Sequence, residues 1–349
     1  MTHPFHIETL DPARVAPEEY AALNTFENAM LAERAPDDPP LTLEQTTGMY
    51  ASIPSFVSVQ AWCVRDAGRL VAFATVAMIR LEQNAHIADA RVEVLPEYRR
   101  RGIGRALFER VVRAAHDDGR RLLLLNTTDR VAGAATVVAR TGAQAGLTSR
   151  VSQLDVTKLD TDLLDGWVTR AKERAGAYDL GFWNGAYPEE HDADVAELMC
   201  VMNTAPRDDL DMEDWTVTPD LIRDMERQHA ASGRKRITAY VQHRDTGRFV
   251  GYSELTWHPA REGILSQGAT AVHPDARGLG LGRWLKAAVL RRVLTELHEA
   301  RYVRTTNAES NASMLGINVE LGFRPYSATT VWQLPVTDAQ AYLAAAPTA

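Results

Sequence analysis

Cysteine is nearly absent from this chain. Two in 349 residues, Cys63 and Cys200, cannot build a disulfide framework or a structural zinc site. Both are expected to be small buried hydrophobes in a reducing cytoplasm. Long apolar runs are missing as well. The longest, around Val71 to Ile79, is far short of the roughly 18–20 residues a membrane helix needs, and it reads as a buried strand. The opening Met1-Thr2-His3-Pro4 has neither a basic nor an apolar segment of a signal peptide, so the expected location is cytoplasmic. Long Lys/Arg runs are lacking, and 38 basic against 46 acidic residues leave a net charge of −8. That balance argues against a general nucleic-acid or anionic-membrane surface. No Cys/His cluster has metal-ligand spacing, so no metal is expected.

What remains is an ordinary globular composition, 45% hydrophobic and 24% charged, at a length comfortable for two domains. The chain reads as one layout written twice. Val92-Glu93-Val94-Leu95-Pro96-Glu97-Tyr98-Arg99-Arg100-Arg101-Gly102-Ile103-Gly104-Arg105 is echoed by Ala271-Val272-His273-Pro274-Asp275-Ala276-Arg277-Gly278-Leu279-Gly280-Leu281-Gly282-Arg283. Each reads as strand, Pro-containing turn, Gly-x-Gly and helix. The offset is too long for a solenoid repeat and suits two copies of one domain. Hairpins are expected upstream of each: Val57 to Val64 with Leu70 to Met78, and Ile237 to Gln242 with Phe249 to Trp257. Downstream, Arg121 to Asn126 and Tyr302 to Thr306 read as strands, and Ser149 to Val156 and Ser327 to Leu334 as closing strands. Leu281, Trp284, Leu285, Ala288, Val289 and Val293 fall on one helix face. This predicts domains at residues 1–160 and 177–349, joined by a linker helix within 161–176.

A glycine turn between strand and helix aims backbone N–H groups at an anion. A pyrophosphate is the natural guest, with Arg99, Arg100, Arg101 and Arg105, or Arg277 and Arg283, to neutralise it. Neither turn is a dinucleotide fingerprint: the third glycine position holds Leu107 or Arg283. Neither has the Gly-Lys-Ser/Thr of a Walker loop.

Arg99-x-x-Gly102-x-Gly104 and Arg277-x-x-Gly280-x-Gly282 resemble the pyrophosphate signature of the GNAT superfamily of N-acetyltransferases. The second copy adds Asn311-x-x-Met314-x-x-x-Asn318-x-x-Leu321-Gly322-Phe323, similar to the family's helix along the pantetheine arm. The tandem layout resembles the mycothiol synthase-like acetyltransferases of actinobacteria. The resemblance implies an α/β fold of two tandem GNAT domains. Each would be a mostly antiparallel mixed sheet with flanking helices and a splayed strand pair at the acyl-CoA site. It implies acetyl-CoA as acyl donor, transfer to the primary amine of a small, cationic or metabolite substrate by direct attack, and a monomer or homodimer. The cofactor-contacting stretches would be Val94 and Arg99 to Arg105, including Ile103, and Val272 with Arg277, Gly278, Leu279, Gly280, Leu281, Gly282, Arg283 and Asn311.

Departures from the family bear on catalysis. The Tyr that relatives place near the thiol is Val138 in one copy and Asn318 in the other, and a frequent catalytic Glu aligns with Asp89 and Gln267. Candidate catalytic groups are then Glu254 and His273 as bases and Asn318 at the thiol. Asp209, Asp211, Asp214 and Trp215 would suit a cationic amine if their loop roofs the second site. Only the second copy has the full downstream helix, so it is expected to catalyse and the first to be degenerate or regulatory. A non-catalytic acyl-CoA-binding protein and a GNAT-fold aminoacyl-tRNA-dependent transferase are the alternatives.

Overall fold

The computed structural model describes residues 5–345, so the reading of Met1–Pro4 lies outside the described residues. Among them, no helix is long and apolar enough to cross a membrane. In chain order the first elements are β1 (Ile7–Leu10), α1 (Pro17–Arg34), α2 (Leu43–Ala51), β2 (Val57–Asp66), β3 (Arg69–Ile79), β4 (Ile87–Val94), α3 (Ile103–Asp117), β5 (Leu122–Thr128), α4 (Ala134–Ala139) and β6 (Gln144–Asp155). There follow α5 (Thr161–Arg174), β7 (Tyr178–Asn184), α6 (Asp192–Cys200), α7 (Pro219–Ala231), β8 (Lys235–His243), β9 (Phe249–Trp257), β10 (Ile264–Val272), α8 (Leu281–Glu296), β11 (Tyr302–Ala308), α9 (Ala312–Glu320), β12 (Arg324–Pro335) and α10 (Val336–Ala344).

Local chemistry sets many of these boundaries. Pro17 opens α1, where its missing N–H costs nothing, and Glu18 and Glu19 sit in the first turn. Thr42 and Gln45 form a reciprocal capping box on α2. The Asp160 carboxylate caps α5 through the Leu163 N–H. Ala67 and Gly68, both at positive φ, turn the β2–β3 hairpin.

The chain forms two compact units, and neither is contiguous in sequence. Unit 1 holds the residues up to Thr148, Arg207–Glu213 and those from Ala328 onward; unit 2 holds Ser149–Pro206 and Asp214–Ser327. In unit 1 the strand order is β1-β2-β3-β4-β5-β12, with β4 and β5 parallel and β5 antiparallel to β12. In unit 2 it is β6-β11-β10-β9-β8-β7, with β10 and β11 parallel and β6 antiparallel to β11. The two closing strands are therefore exchanged, which differs from a split of the chain at residue 160. Leu334 on β12 is buried in the unit 1 core with Phe26, Phe73 and Leu107, and Leu154 on β6 is buried in the unit 2 core with Trp284 and Phe323. Helix α5 is no mere linker either: Leu164, Trp167 and Ala171 are buried in the same unit 2 core.

The exchange makes a prediction. A fragment ending at residue 160 keeps the β5 edge but loses β12 and α10, and with them buried Leu334, Val336 and Ala339. Losing burial of the Leu and Val alone removes roughly 1.5–3 kcal/mol each. That is a large share of a domain's roughly 5–15 kcal/mol stability. The fragment should show weak near-ultraviolet circular dichroism and bind a hydrophobic dye, and a cooperative melt would refute the prediction.

Candidate functional site

Strand β10 is where unit 2 opens. Ile264–Gln267 pair with Tyr302–Thr305 of β11, and no pairing with β11 follows. On the other side β10 continues along β9, with a register shift between Gln267 and Thr270. This is a β-bulge, a device that re-aims a strand beside a site. Past it, the His273 N–H donates to the Val250 carbonyl across β9 at 2.7 Å. N–H groups alternate along a strand, so those of Val272 and Thr270 turn to the open edge.

The turn after β10 is built on left-handed backbone. Gly278 has φ 83° and Gly280 φ 84°, a conformation costing an ordinary L-residue about 1–2 kcal/mol. An added Cβ on Gly280 meets nothing within 4 Å, so conformation and not crowding selects glycine there. Gly280 is also the N-cap of α8, whose first N–H groups therefore have no side-chain partner from the cap.

Beside this turn lies a cavity of about 1080 Å³, bordered by α5, β10, α8, β11 and α9. Its charged lining is Arg170, Arg174, Arg277, Arg283, Arg304 and Lys286 against one carboxylate, Glu320. In a chain of net charge −8 that is a concentrated positive field, suited to a polyanion. Arg277 donates to the Val272 carbonyl at 3.0 Å and to Thr204 Oγ1 at 2.6 Å. Arg283 pairs through two nitrogens with Glu320 and lies over the Trp167 ring. Leu281 is buried beneath the turn and Leu279 packs against the same core. Gly282, one residue into α8, also lines the cavity.

Two sequence candidates sit on α9. Asn311 caps the helix, its Oδ1 accepting from the Met314 N–H at 3.2 Å, and it lines the cavity. Asn318 is buried; it accepts from Lys286 Nζ at 2.8 Å and donates to Asn307 Oδ1 at 2.8 Å. Lys286 is 1% exposed, and burial holds its ammonium down to about 7. The helical stripe placed Lys286 off the apolar face, yet α8 also buries Ala287 and Leu290, so it is enclosed nearly all round.

Glu254, on β9, accepts a hydrogen bond from the Tyr187 hydroxyl, and Arg236 Nη1 lies 3.8 Å away. Arg236 also donates to Glu226 at 2.5 Å and to the Gly185 carbonyl, and it lies 3.9 Å over the Tyr187 ring. Burial pushes the Glu254 carboxyl above the usual carboxylate range, opposed by the Tyr187 hydrogen bond and the Arg236 charge. Glu254 itself is not on the cavity wall. Gly268 of the bulge is, and a Cβ there would lie 3.7 Å from Glu254 Oε2. Neighbouring Gln267 donates to Ser253 Oγ and the Glu254 carbonyl, both at 2.9 Å, while its buried Oε1 has no hydrogen-bond partner.

Other candidates fall elsewhere. His273 caps its own turn, accepting from the Asp275 N–H, and its Nε2 lies 2.8 Å from Arg248; it is not on the cavity wall. The acidic loop does not come together as one site. Asp209 and Asp211 belong to unit 1, where Gln333 binds the Asp209 carbonyl and the Asp211 N–H. The reason is apolar: Leu210 and Met212 between the acids pack on Ile87, Leu122, Leu124 and Val331. Asp214 and Trp215 belong to unit 2, the Trp215 backbone being held by Asn203. None of the four lines the cavity.

The first copy has the same backbone and different side-chain bonding. Pairing of β4 with β5 covers only Ile87–Ala90, and the Leu95 N–H donates to Val71, which turns the Val94 N–H to the open edge. Arg100 takes the left-handed place of Gly278, and Gly102, at φ 83°, caps α3 ahead of buried Ile103. Gly104 lies against Val94. Three of its arginines, Arg99, Arg101 and Arg105, are engaged with the protein itself. Arg99 is bidentate to Glu33, Arg101 binds the Glu97 carbonyl, and Arg105 binds the Tyr342, Leu343 and Ala345 carbonyls at the end of α10. Asp89 is exposed, and α4 buries none of its residues. Among the described residues no group of His, Cys, Asp and Glu comes together that could hold a metal ion.

Residues 27–142 and 204–323 each match the Acetyltransferase (GNAT) family. No curated protein matches the chain. Similar solved structures include a tandem GNAT protein from the clavulanic acid biosynthesis pathway, 26% identical with a TM-score of 0.75 over 95% of this chain and 99% of that one. A GCN5-related N-acetyltransferase from Sphaerobacter thermophilus is 14% identical, with a TM-score of 0.65 over 96% and 97%. A glucosamine N-acetyltransferase region of a fungal multi-domain GH3 beta-N-acetylglucosaminidase is 12% identical, with a TM-score of 0.64 over 95% of this chain and 38% of that one. The last two likenesses concern the fold alone.

The Arg236 network yields a stability test. Arg236→Met leaves Glu226 and Glu254 without their shared cation, and breaking such a buried pair costs about 3–5 kcal/mol. Protonation relieves an uncompensated carboxylate, and a carboxyl whose folded pKa is raised loses stability as pH rises above its unfolded value. The deficit against the unsubstituted chain should therefore be larger at pH 8 than at pH 5 in denaturant unfolding. An equal deficit at both would contradict the assignment.

Proposed function

The chain belongs to the acetyltransferase (GNAT) family and carries two such domains in tandem, and from that premise we propose that it moves an acetyl group from acetyl-CoA to the primary amine of a small metabolite. The observation that carries this reading is the unit 2 cavity, with its glycine turn, five arginines and one lysine against a single carboxylate. CoA is a polyanion with a neutral, extended arm. The turn and arginines match its phosphates, and the open edge of β10 offers the arm two N–H groups.

In the reaction we propose, amine and thioester meet in a ternary complex. The Val272 and Thr270 N–H groups lie where a carbonyl oxygen alongside β10 would take up negative charge. An alkylamine is mostly protonated at neutral pH and must shed a proton before attack. Glu254 is the proton acceptor in this scheme, reached past Gly268. Burial raises its pKa towards the operating range, while Tyr187 and Arg236 fix its orientation. A cationic acceptor loses the support the acidic loop would have lent, since those carboxylates do not line the cavity.

We assign turnover to the second copy, because Arg99 of the first is bidentate to a carboxylate, whereas its counterpart Arg277 is held by a carbonyl and a hydroxyl that leave its charge unpaired. Paired substitutions test this. Gly280→Val forces a branched residue into left-handed backbone, at about 1–3 kcal/mol, and it crowds the ligand. Combined with Arg277→Glu, it should lower acetyl-CoA affinity by about a hundredfold or more, about 2.7 kcal/mol, and abolish thiol release on an amine panel. Arg99→Glu with Gly102→Val breaks the Glu33 pair and should lower the melting temperature while leaving most of the turnover. A folded first-copy variant without activity, beside an active second-copy variant, would reverse the assignment.

A further inference from the structure

Lys286 stands apart from the other cations of the cavity. Arg277 is exposed and Arg283 half-buried at the turn, whereas Lys286 is sealed in α8, with the ring of Phe323 5.6 Å from its Nζ. The charged side chains facing the same cavity are Arg170, Arg174, Arg277, Arg283, Arg304 and Glu320, and Glu320 is taken by Arg283. The partner found for Lys286 is the neutral Asn318 Oδ1, and burial alone depresses its pKa. A buried ammonium facing a cavity whose one carboxylate is already paired is costly unless a negative charge comes to meet it. The bridge from Lys286 through Asn318 to Asn307 shows where. Asn307 lies on β11 beyond its last residue paired with β10, Thr305, so the bridge ends on the splayed stretch of β11 and not at the glycine turn.

Resting on the acyl-CoA reading above, we propose that Lys286 is a catalytic residue that meets the negative charge of the departing sulfur and protonates it, with Asn318 holding its Nζ. As the amine adds and the acyl C–S bond breaks, the sulfur keeps the electron pair and takes a proton from Nζ. The neutral lysine regains one from the proton the acceptor amine sheds by way of Glu254. An ordinary thiol has a pKa of about 8.5. Without an anion beside it the lysine is held near 7; a thiolate at Nζ raises the lysine and lowers the thiol, so the proton passes between two groups of matched affinity.

The probe is CoA itself, bound to the full chain, with the background of Cys63 and Cys200 subtracted by a titration without ligand. The ultraviolet absorbance of the CoA thiolate should appear about one pH unit or more below that of free CoA, because a neighbouring cation favours the charged form. Lys286→Met exchanges a buried charge for an apolar chain of similar length and should melt no lower than the unsubstituted protein. In this variant the thiol should titrate as in free CoA, with acetyl-CoA affinity by calorimetry kept within about twofold. Asn318→Asp keeps the lysine but gives it a carboxylate, and should raise the bound thiol pKa in the same direction. An unchanged titration in Lys286→Met, or equal loss of affinity for CoA and acetyl-CoA, would overturn the proposal; the second result would place Lys286 on a phosphate. If the unsubstituted chain binds neither compound, the acyl-CoA reading fails and takes this one with it.

Discussion

The parting of β10 from β11 is the constraint on which the rest of unit 2 depends. Four residue pairs hold the parallel strands together, and then a bulge at Gly268 and Ala269 turns β10 away. A continuous sheet would bury both strand edges in ladder hydrogen bonds. The break frees N–H groups, makes room for a cavity, and sets the glycine turn at its end. It also brings Gly268, a residue without a side chain, between the cavity and Glu254. One irregularity thus sets the glycine turn, the open-edge N–H groups and the short distance from the cavity wall to Glu254.

Both copies keep that backbone, so what separates them is side-chain bonding. A guanidinium already bidentate to a carboxylate has little left to offer an incoming phosphate. Arg99 is in that state with Glu33, and Arg105 is spent on the carbonyls ending α10. Arg277, the counterpart of Arg99 in unit 2, is held by the Val272 carbonyl and the Thr204 hydroxyl, which orient it without neutralising it. Arg283, like Arg99, is bidentate to a carboxylate, so the difference in electrostatic availability lies between Arg99 and Arg277.

Features with short-range causes were legible in the sequence. Hairpin turns, helix caps and the Arg-x-x-Gly-x-Gly turns depend on residues a few positions apart, and β9, read as Phe249 to Trp257, has those bounds in the structure. Most of the features that the sequence misplaced or did not reveal depend on distant partners. The acids at 209 and 211 look like a charged loop until Leu210 and Met212 find an apolar seat in unit 1. Lys286 looks like a surface lysine because a stripe on one face of α8 does not reveal that its other sides are covered too. Tyr187, Arg236 and Glu226, which surround Glu254, lie on three separate segments with no shared motif. His273 had the chemistry of a base, but a backbone N–H two residues on had the better geometric claim to its ring.

The exchanged strands bear on why a copy with engaged arginines persists in the chain. Unit 2 takes Leu154 into its core on β6, a strand that leaves unit 1 at Thr148. Unit 1 in turn takes Leu334, Val336 and Ala339 from the segment that follows the last strand of the second copy. Each core is therefore completed by chain that, in an unexchanged arrangement, would close the other. The glycine turn of the first copy contributes no residue to the unit 2 core. Losing the copy itself removes residues that unit 2 buries. The packing of the first copy is therefore constrained by the stability of unit 2 independently of what its ligand turn holds.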